Sequence, residues 1–160
     1  NATIIVDFAH NPHSMQAVIN MALGLKQKND YDEIKVLFGH AGDRTNLDIT
    51  SVADAVIALR PDTYILTELE KYLRGRNLGE ISDIVEQHLL ANGVTQAQIK
   101  RADSPLEGTK IALSHSVARG GSGDLKGKDD NNANTIKGKT SLILWFALAE
   151  REAIQALIES

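Results

Sequence analysis

Short apolar runs alternate with longer amphipathic stretches along this chain. Runs of aliphatic and β-branched residues are typical of buried strands. A final run, Ser141–Ala147, also predicts a strand, with one continuous helix from residue 141 as the alternative. The other predicted strands are Thr3–Asp7, Ile34–Phe38, Thr63–Thr67 and the weaker Ile99–Ala102.

Apolar residues at helical spacing lie between these strands. Asn11 is the predicted N-cap of the first helix, and Pro12 suits its first turn. Ser104 followed by Glu107 resembles a capping box at the start of a later helix. The predicted helices are 12–27, 48–59, 79–91, 104–118 and 150–158.

A repeated strand-then-helix order favours right-handed crossovers and a mostly parallel sheet covered on both faces. The sequence therefore predicts a three-layer, Rossmann-like α/β domain with five to six strands. At 160 residues the chain has the length of one domain, 1–160. Residues 120–139 contain almost no apolar side chains and predict a flexible insertion.

Composition removes several classes of function. The absence of cysteine excludes disulfides, thiolate metal sites and cysteine nucleophiles. A net charge of -4 and few aromatic residues argue against a nucleic-acid surface. The longest apolar run is too short to span a bilayer, and no signal peptide is visible at the start, so we expect a cytoplasmic protein with no membrane partner.

Polar clusters follow the first three predicted strands. In open parallel sheets, ligands bind beyond the carboxyl ends of the strands, where these loops converge. The sequences of the three loops are DFAHNP, GHAGDR and ELEKYLRGR. We expect one polar rim made of Asp7, His10, His40, Asp43, Arg44, Glu68, Glu70, Arg74 and Arg76.

Each loop allows a functional and a structural interpretation. Asp7 can orient water, ribose or metal-bound phosphate, or it can bind N–H groups of its own turn. In GHAGDR the glycines and Arg44 suit an anion, although an Asp43–Arg44 pair that locks the loop is the alternative. Arg74 and Arg76 suit a carboxylate or phosphate, or belong to a solvated charged loop.

One motif imitates a nucleotide site. Residues 133–140, ANTIKGKT, satisfy the loosest form of the phosphate-binding P-loop. A P-loop follows a buried strand and opens a helix, whereas polar residues precede this stretch and a predicted strand follows it. We therefore do not expect a nucleotide site there.

Taken together, VDFAHNPHSMQAV, FGHAGDR and LRGRNLGEISDIV resemble the C-terminal (glutamate ligase) domain of the Mur ligase superfamily. The LRGR-x-x-GE stretch, Leu73–Glu80, is most similar to the Mur-ligase-like part of cyanophycin synthetases. The resemblance covers about residues 3–93. It implies an ATP-dependent amide ligase, in which a carboxylate is phosphorylated and an amino acid attacks the acyl phosphate.

The resemblance also implies roles for the rim residues. Asp7 and His10 would be catalytic, and Asp7, His10, Asn11, Asp43 and Arg44 would bind nucleotide or phosphate. Arg74, Arg76 and Glu80 would bind the amino-acid substrate. ATP and Mg²⁺ would be held mostly by N-terminal and central domains of the same parent chain, so this domain alone would be inactive.

Two alternatives remain at this stage. DFAHNP is also very similar to the corresponding segment of folylpolyglutamate synthases. A non-catalytic α/β module could use the same rim to bind a small anion.

Overall fold

The structure is a computed structural model that describes residues 2–7, 9, 11–114, 140–146 and 149–159. Strands and helices alternate as predicted. The strands are β1 (Ala2–Asp7), β2 (Glu33–Phe38), β3 (Thr63–Thr67), β4 (Ile99–Ala102) and β5 (Ser141–Phe146). The helices are α1 (Pro12–Lys28), α2 (Asn46–Leu59), α3 (Glu80–Ala91), α4 (Pro105–Leu113) and α5 (Arg151–Glu159), with short 3₁₀ turns at Glu70–Tyr72 and Gln96–Gln98.

The five strands of the described residues form one parallel sheet in the order β1-β5-β2-β3-β4. The last strand of the chain thus inserts between the first two. Its side chains are apolar on both faces: Leu142 and Leu144 join the core under α1, α2 and α3, whereas Ile143 and Trp145 join the core under α4 and α5. A strand buried on both faces belongs inside a parallel sheet, not at its edge.

The helices follow from this strand order. The connections from β1 to β4 all run in one direction across the sheet, and their helices cover one face. The connection from β4 to β5 runs back, and α4 covers the other face. Right-handed crossovers require this change of face when the direction reverses. The predicted three-layer α/β fold is confirmed, with five parallel strands among the described residues.

Most predicted boundaries agree with the structure within two residues. The N-cap at Asn11 is confirmed, since its side chain accepts the Ser14 N–H at 2.9 Å. Helix α2 starts two residues earlier than predicted because Thr45 and Asp48 form a capping box. Ser104 caps α4 as predicted.

Three expectations about the end of the chain have different outcomes. Helix α4 ends at Leu113, which makes the predicted end at residue 118 wrong; residues 115–118 lie outside the described residues. The region 141–146 is a strand, so the alternative of a continuous helix is wrong. The predicted insertion at 120–139 also lies outside the described residues.

The strand at Ser141–Phe146 also bears on the P-loop-like stretch. Thr140, its last residue, bonds to Asp30 and Asp32 and leads directly into β5. A P-loop lysine-threonine pair opens a helix instead.

None of the helices among the described residues has both the length and the apolar character that a membrane-spanning segment needs.

A candidate ligand-binding rim at the carboxyl ends of the strands

Two loops at the carboxyl edge of the sheet are joined through their backbones: the GHAGDR loop (Gly39–Arg44) after β2 and the LRGR loop (Leu73–Arg76) after β3. Gly42 N donates a 2.8 Å hydrogen bond to the Tyr72 carbonyl oxygen. A Cβ at Gly42 would overlap the Leu73 carbonyl, so only glycine allows this approach. The two loops therefore form one unit.

Arg76 adds side-chain hydrogen bonds between the same two loops. Its Nε donates to Gly42 O at 3.0 Å, and its Nη2 donates to Arg44 O at 2.7 Å. Nη2 also donates to Asn46 Oδ1 at 2.8 Å, and Nη1 forms a 2.8 Å ion pair with Glu80 Oε1. Arg76 thus contacts the GHAGDR loop, the start of α2 and the start of α3.

The other two arginines of these loops are different. Within the described part of the chain, neither the Arg44 nor the Arg74 guanidinium has a hydrogen bond or ion pair to a protein acceptor. The Arg74 guanidinium lies 6.0 Å above the ring centre of Tyr72, a cation–π contact. Arg74 has a left-handed backbone (φ 49°), followed by Gly75 at φ 93°. The sharp turn exposes the Arg74 side chain to solvent.

The alternative in which Asp43 pairs with Arg44 to lock the GHAGDR loop is not formed among the described residues. Asp43 is exposed, and the Arg44 backbone is held instead by Ala41 and Arg76. The loop is locked from outside, by a residue 32 positions further along the chain.

Asp7 lies at the same edge of the sheet. It is the last residue of β1 and stands in register with Phe146 of β5. Its Oδ1 accepts the Ala9 N–H at 2.7 Å, which is the turn-stabilising role considered above. Because β5 lies between β1 and β2, Asp7 is about 10 Å, two strand spacings, from β2, the strand that leads into the GHAGDR loop. His10, its predicted catalytic partner, lies outside the described residues.

His40 is a buried residue, although the sequence placed it in the polar rim. Its side chain is 5% exposed and its ring packs edge-on against Phe38. Burial, with a smaller contribution from the nearby Arg44 charge, lowers the pKa of His40 from 6.5 to about 4. Its Nε2 has no hydrogen-bond partner among the described residues.

Acidic residues hold the start of α3 and line the neighbouring cleft. Glu68 accepts hydrogen bonds from Gly79 N and from the Ser82 hydroxyl. Glu80 accepts from Asn77 N and from Arg76, and these two hydrogen bonds, in that order, lower the pKa of its carboxyl. An open cleft of about 270 Å³ lies beside the segment Glu68–Tyr72, which leads from β3 into the LRGR loop. Its polar lining includes Glu68, Glu70, Lys71, Tyr72, Asp103, Ser104 and Glu150.

The structure therefore brings together most of the residues predicted for the site. Asp43, Arg44, Arg74 and Arg76 lie on one pair of joined loops, and Glu80, at the start of α3, is ion-paired with Arg76. Asp7 and Asn11 lie at the same edge of the sheet. The sequence did not reveal the contributions of Asn46, Asn77 and Ser82. Only Asn46 had a visible signal, since it is the residue after the capping threonine of α2.

These features define an α/β domain with a cationic loop pair at the carboxyl edge of a parallel sheet. The family described as "Mur ligase, glutamate ligase domain" matches residues 1–126 of the 160. Because the match covers most of the chain, the protein belongs to the Mur ligase family through this domain, and members of that family are ligases.

One solved structure, UDP-N-acetylmuramoyl-L-alanyl-D-glutamate–2,6-diaminopimelate ligase, has a similar fold with a TM-score of 0.54. The match covers 91% of this chain at 14% sequence identity, a level that shows the fold alone. The chain spans 24% of the length of that ligase. None of the curated proteins compared with the sequence matches it.

Proposed function

We propose that this chain is the C-terminal domain of an ATP-dependent amide ligase that joins an amino acid to a carboxylate. ATP would transfer its γ-phosphoryl group to the carboxylate, and the amine would attack the acyl phosphate and release phosphate. The observation that carries the proposal is the pair Arg44 and Arg74. Among the described residues neither guanidinium has a protein acceptor, yet both side chains start from loops that hydrogen bonds hold against each other.

In this proposal the two arginines divide the anionic groups between them. Arg74 binds the carboxylate of the incoming amino acid, since it is exposed beside the acidic cleft that Tyr72 lines. The carboxylates of that cleft suit the ammonium group of the same zwitterion. Arg44 binds a phosphate oxygen of the nucleotide or acyl phosphate. Asp7 and His10 approach the nucleotide, with Asn11 remaining a helix cap.

The residues of this domain fit a phosphate better than a metal ion. Arginine forks and backbone N–H groups bind phosphate oxygens, whereas Mg²⁺ needs several oxygen ligands. Among the described residues, no group of three or more histidine or acidic side chains could hold a metal ion. When bound, Mg²⁺ would supply charge neutralisation at the phosphates, and it would be held by other domains of the parent protein.

The N-terminal and central domains of the parent chain are the proposed partners. Two leucines beside the loop pair are exposed to an unusual degree: Leu47 by 75% and Leu78 by 62%. Their neighbours Asn46 and Asn77 both belong to the hydrogen-bond network of Arg76 and Glu80. A partner domain that closes over this rim would cover them and exclude water from the acyl phosphate.

Within the family, we propose that the protein is similar to cyanophycin synthetases. We also propose that it is cytoplasmic. The assignment to this branch depends on the LRGR-x-x-GE stretch, in which Arg76 and Glu80 form an ion pair and Glu68 accepts a hydrogen bond from the Gly79 N–H. The choice of this branch over folylpolyglutamate synthases depends on the same stretch together with the GDR triplet.

The test uses the full-length protein, with amino-acid-dependent release of phosphate from ATP as the assay. Arg74→Ala should raise KM for the amino acid about 10- to 100-fold, because a charge-assisted hydrogen bond contributes ~1.5–3 kcal/mol. Arg44→Ala should mainly raise KM for ATP or lower kcat. Lys110→Gln, on the exposed side of α4, is the matched loss of a surface charge and should change neither constant. Unchanged kinetics in both arginine variants would refute the proposed roles.

A further inference from the structure

The geometry points to Arg76 as a positioning residue that sets the relative placement of Arg44 and Arg74, and not as a ligand of the substrate. Sequence likeness had grouped Arg76 with the substrate-binding residues. We call the set of hydrogen bonds by which Arg76 holds the GHAGDR and LRGR loops together the Arg76 clamp. The inference about the clamp itself comes from contacts within the chain. Its consequence for catalysis rests on the proposed function.

The first argument is the number of donors. An arginine side chain has five N–H groups. Four of those of Arg76 are used, by Gly42 O, Arg44 O, Asn46 Oδ1 and Glu80 Oε1. A substrate carboxylate needs two donors in parallel for bidentate binding. Arg76 could provide them only by releasing protein acceptors that would then have to find other partners.

The second argument is where those acceptors lie. Gly42 and Arg44 are in one loop, Asn46 starts α2 and Glu80 starts α3. Arg76 itself belongs to the LRGR loop, two residues after Arg74. One guanidinium therefore fixes the spacing between the backbones that carry the two available arginines, and its side chain is only 16% exposed.

The third argument is orientation by Glu80. Its Oε1 binds Arg76 Nη1 while its Oε2 accepts the Asn77 N–H at 3.0 Å. The carboxylate is thus held at both oxygens and directs the guanidinium plane toward the GHAGDR loop. Glu80, which likeness also assigned to the substrate, serves the same clamp.

The experiment compares amide hydrogen exchange and steady-state kinetics of the full-length protein, without ligand in the exchange measurement. Arg76→Gln should accelerate exchange of the Gly42 and Arg44 amides about tenfold or more, since charged hydrogen bonds that hold this loop are lost. The amide of Val94, which bonds to Leu89 O beyond α3, should be unaffected. Arg76→Lys should show the same loop effect, because one ammonium cannot reach four acceptors in a plane.

Arg101→Gln is the matched control, since Arg101 also joins two elements through carboxylates, here Asp83 and Glu86. It should leave the loop amides unchanged. In kinetics, Arg76→Gln should raise KM for the amino acid in the wild-type background and have at most a twofold effect, about 0.4 kcal/mol, once Arg44 and Arg74 are both replaced by alanine.

Two results would overturn the inference: unchanged exchange of the Gly42 and Arg44 amides in both Arg76 variants, or a KM effect that stays the same in the double-alanine background. The failure of the proposed function is distinguishable. A full-length protein with no ligase activity would refute that function, whereas faster loop exchange in its Arg76 variants would still support the clamp.

Discussion

The burial of His40 predicts a specific dependence of stability on pH. His40 follows the end of β2 and is enclosed by the core, with its Nε2 unpaired among the described residues. Replacing it with leucine fills a similar volume without a titratable group. At pH 7 the variant should be as stable as the wild type or about 1 kcal/mol more stable, because a buried polar atom without a partner is removed.

The magnitude follows from the pKa. The folded state lowers the pKa of His40 from 6.5 to about 4, so in this interval the unfolded chain binds more protons than the folded one. Above the pKa of His40 in the unfolded chain, the residue is neutral in both states and costs no stability through its charge. As the pH falls toward its pKa in the folded state, the free energy of unfolding decreases. At ~1.4 kcal/mol per pKa unit, the loss between pH 7 and pH 4.5 is about 2.5 kcal/mol.

Urea unfolding followed by fluorescence of Trp145, the single tryptophan, measures this difference. Trp145 is 4% exposed on β5, an interior strand of the sheet, so its emission reports on unfolding of the core. Carboxylates titrate in the same range, but they cancel when wild type and His40→Leu are compared at each pH. The exposed His13, replaced by glutamine, is the control and should retain the wild-type pH dependence. A His40→Leu curve parallel to the wild-type curve within about 0.5 kcal/mol would refute the reasoning.

Two further predictions concern stability measured in the same way. Gly42→Ala should destabilise the chain by about 2 kcal/mol or more, because the added methyl group would overlap a backbone carbonyl. Gly24→Ala is the control: this glycine lies in open space on α1, so its replacement should stabilise the chain by up to ~1 kcal/mol. Equal effects of the two substitutions would contradict this. Lys35→Met should lower the free energy of unfolding by about 3 kcal/mol, because the buried Lys35 ammonium binds Glu33 and the carbonyl oxygens of Ala112 and Ser114. Adding Glu33→Gln should recover part of this loss. A double variant that is less stable than the single one would contradict this.

The order of elements was predictable because it is written in local patterns. Apolar runs, helical spacing and caps such as Asn11 each involve residues a few positions apart, and each agrees with the structure. Fold class and the shared edge of the loops followed, since parallel crossovers place every strand-to-helix loop on one side of the sheet. The resemblance to Mur ligases, which the family match bears out, rested on those same loops.

Other features required contacts between distant parts of the chain. Nothing local to Ser141–Phe146 says that this strand inserts between β1 and β2; its burial on both faces is satisfied only in the assembled sheet. His40 looks like a rim residue in the sequence, yet the packing around Phe38 buries it.

Arg76 shows the same limit for the candidate site. Its neighbours in the sequence, Arg74 and Gly75, suggest a doublet of equivalent arginines. The tertiary structure separates their roles, because of these two described arginines only Arg76 is placed within reach of acceptors 30 to 34 residues earlier in the chain. The sequence by itself determined which elements form and which loops share an edge, since these depend on short-range patterns. Which side chains are buried, paired or left available was decided only when the loops met.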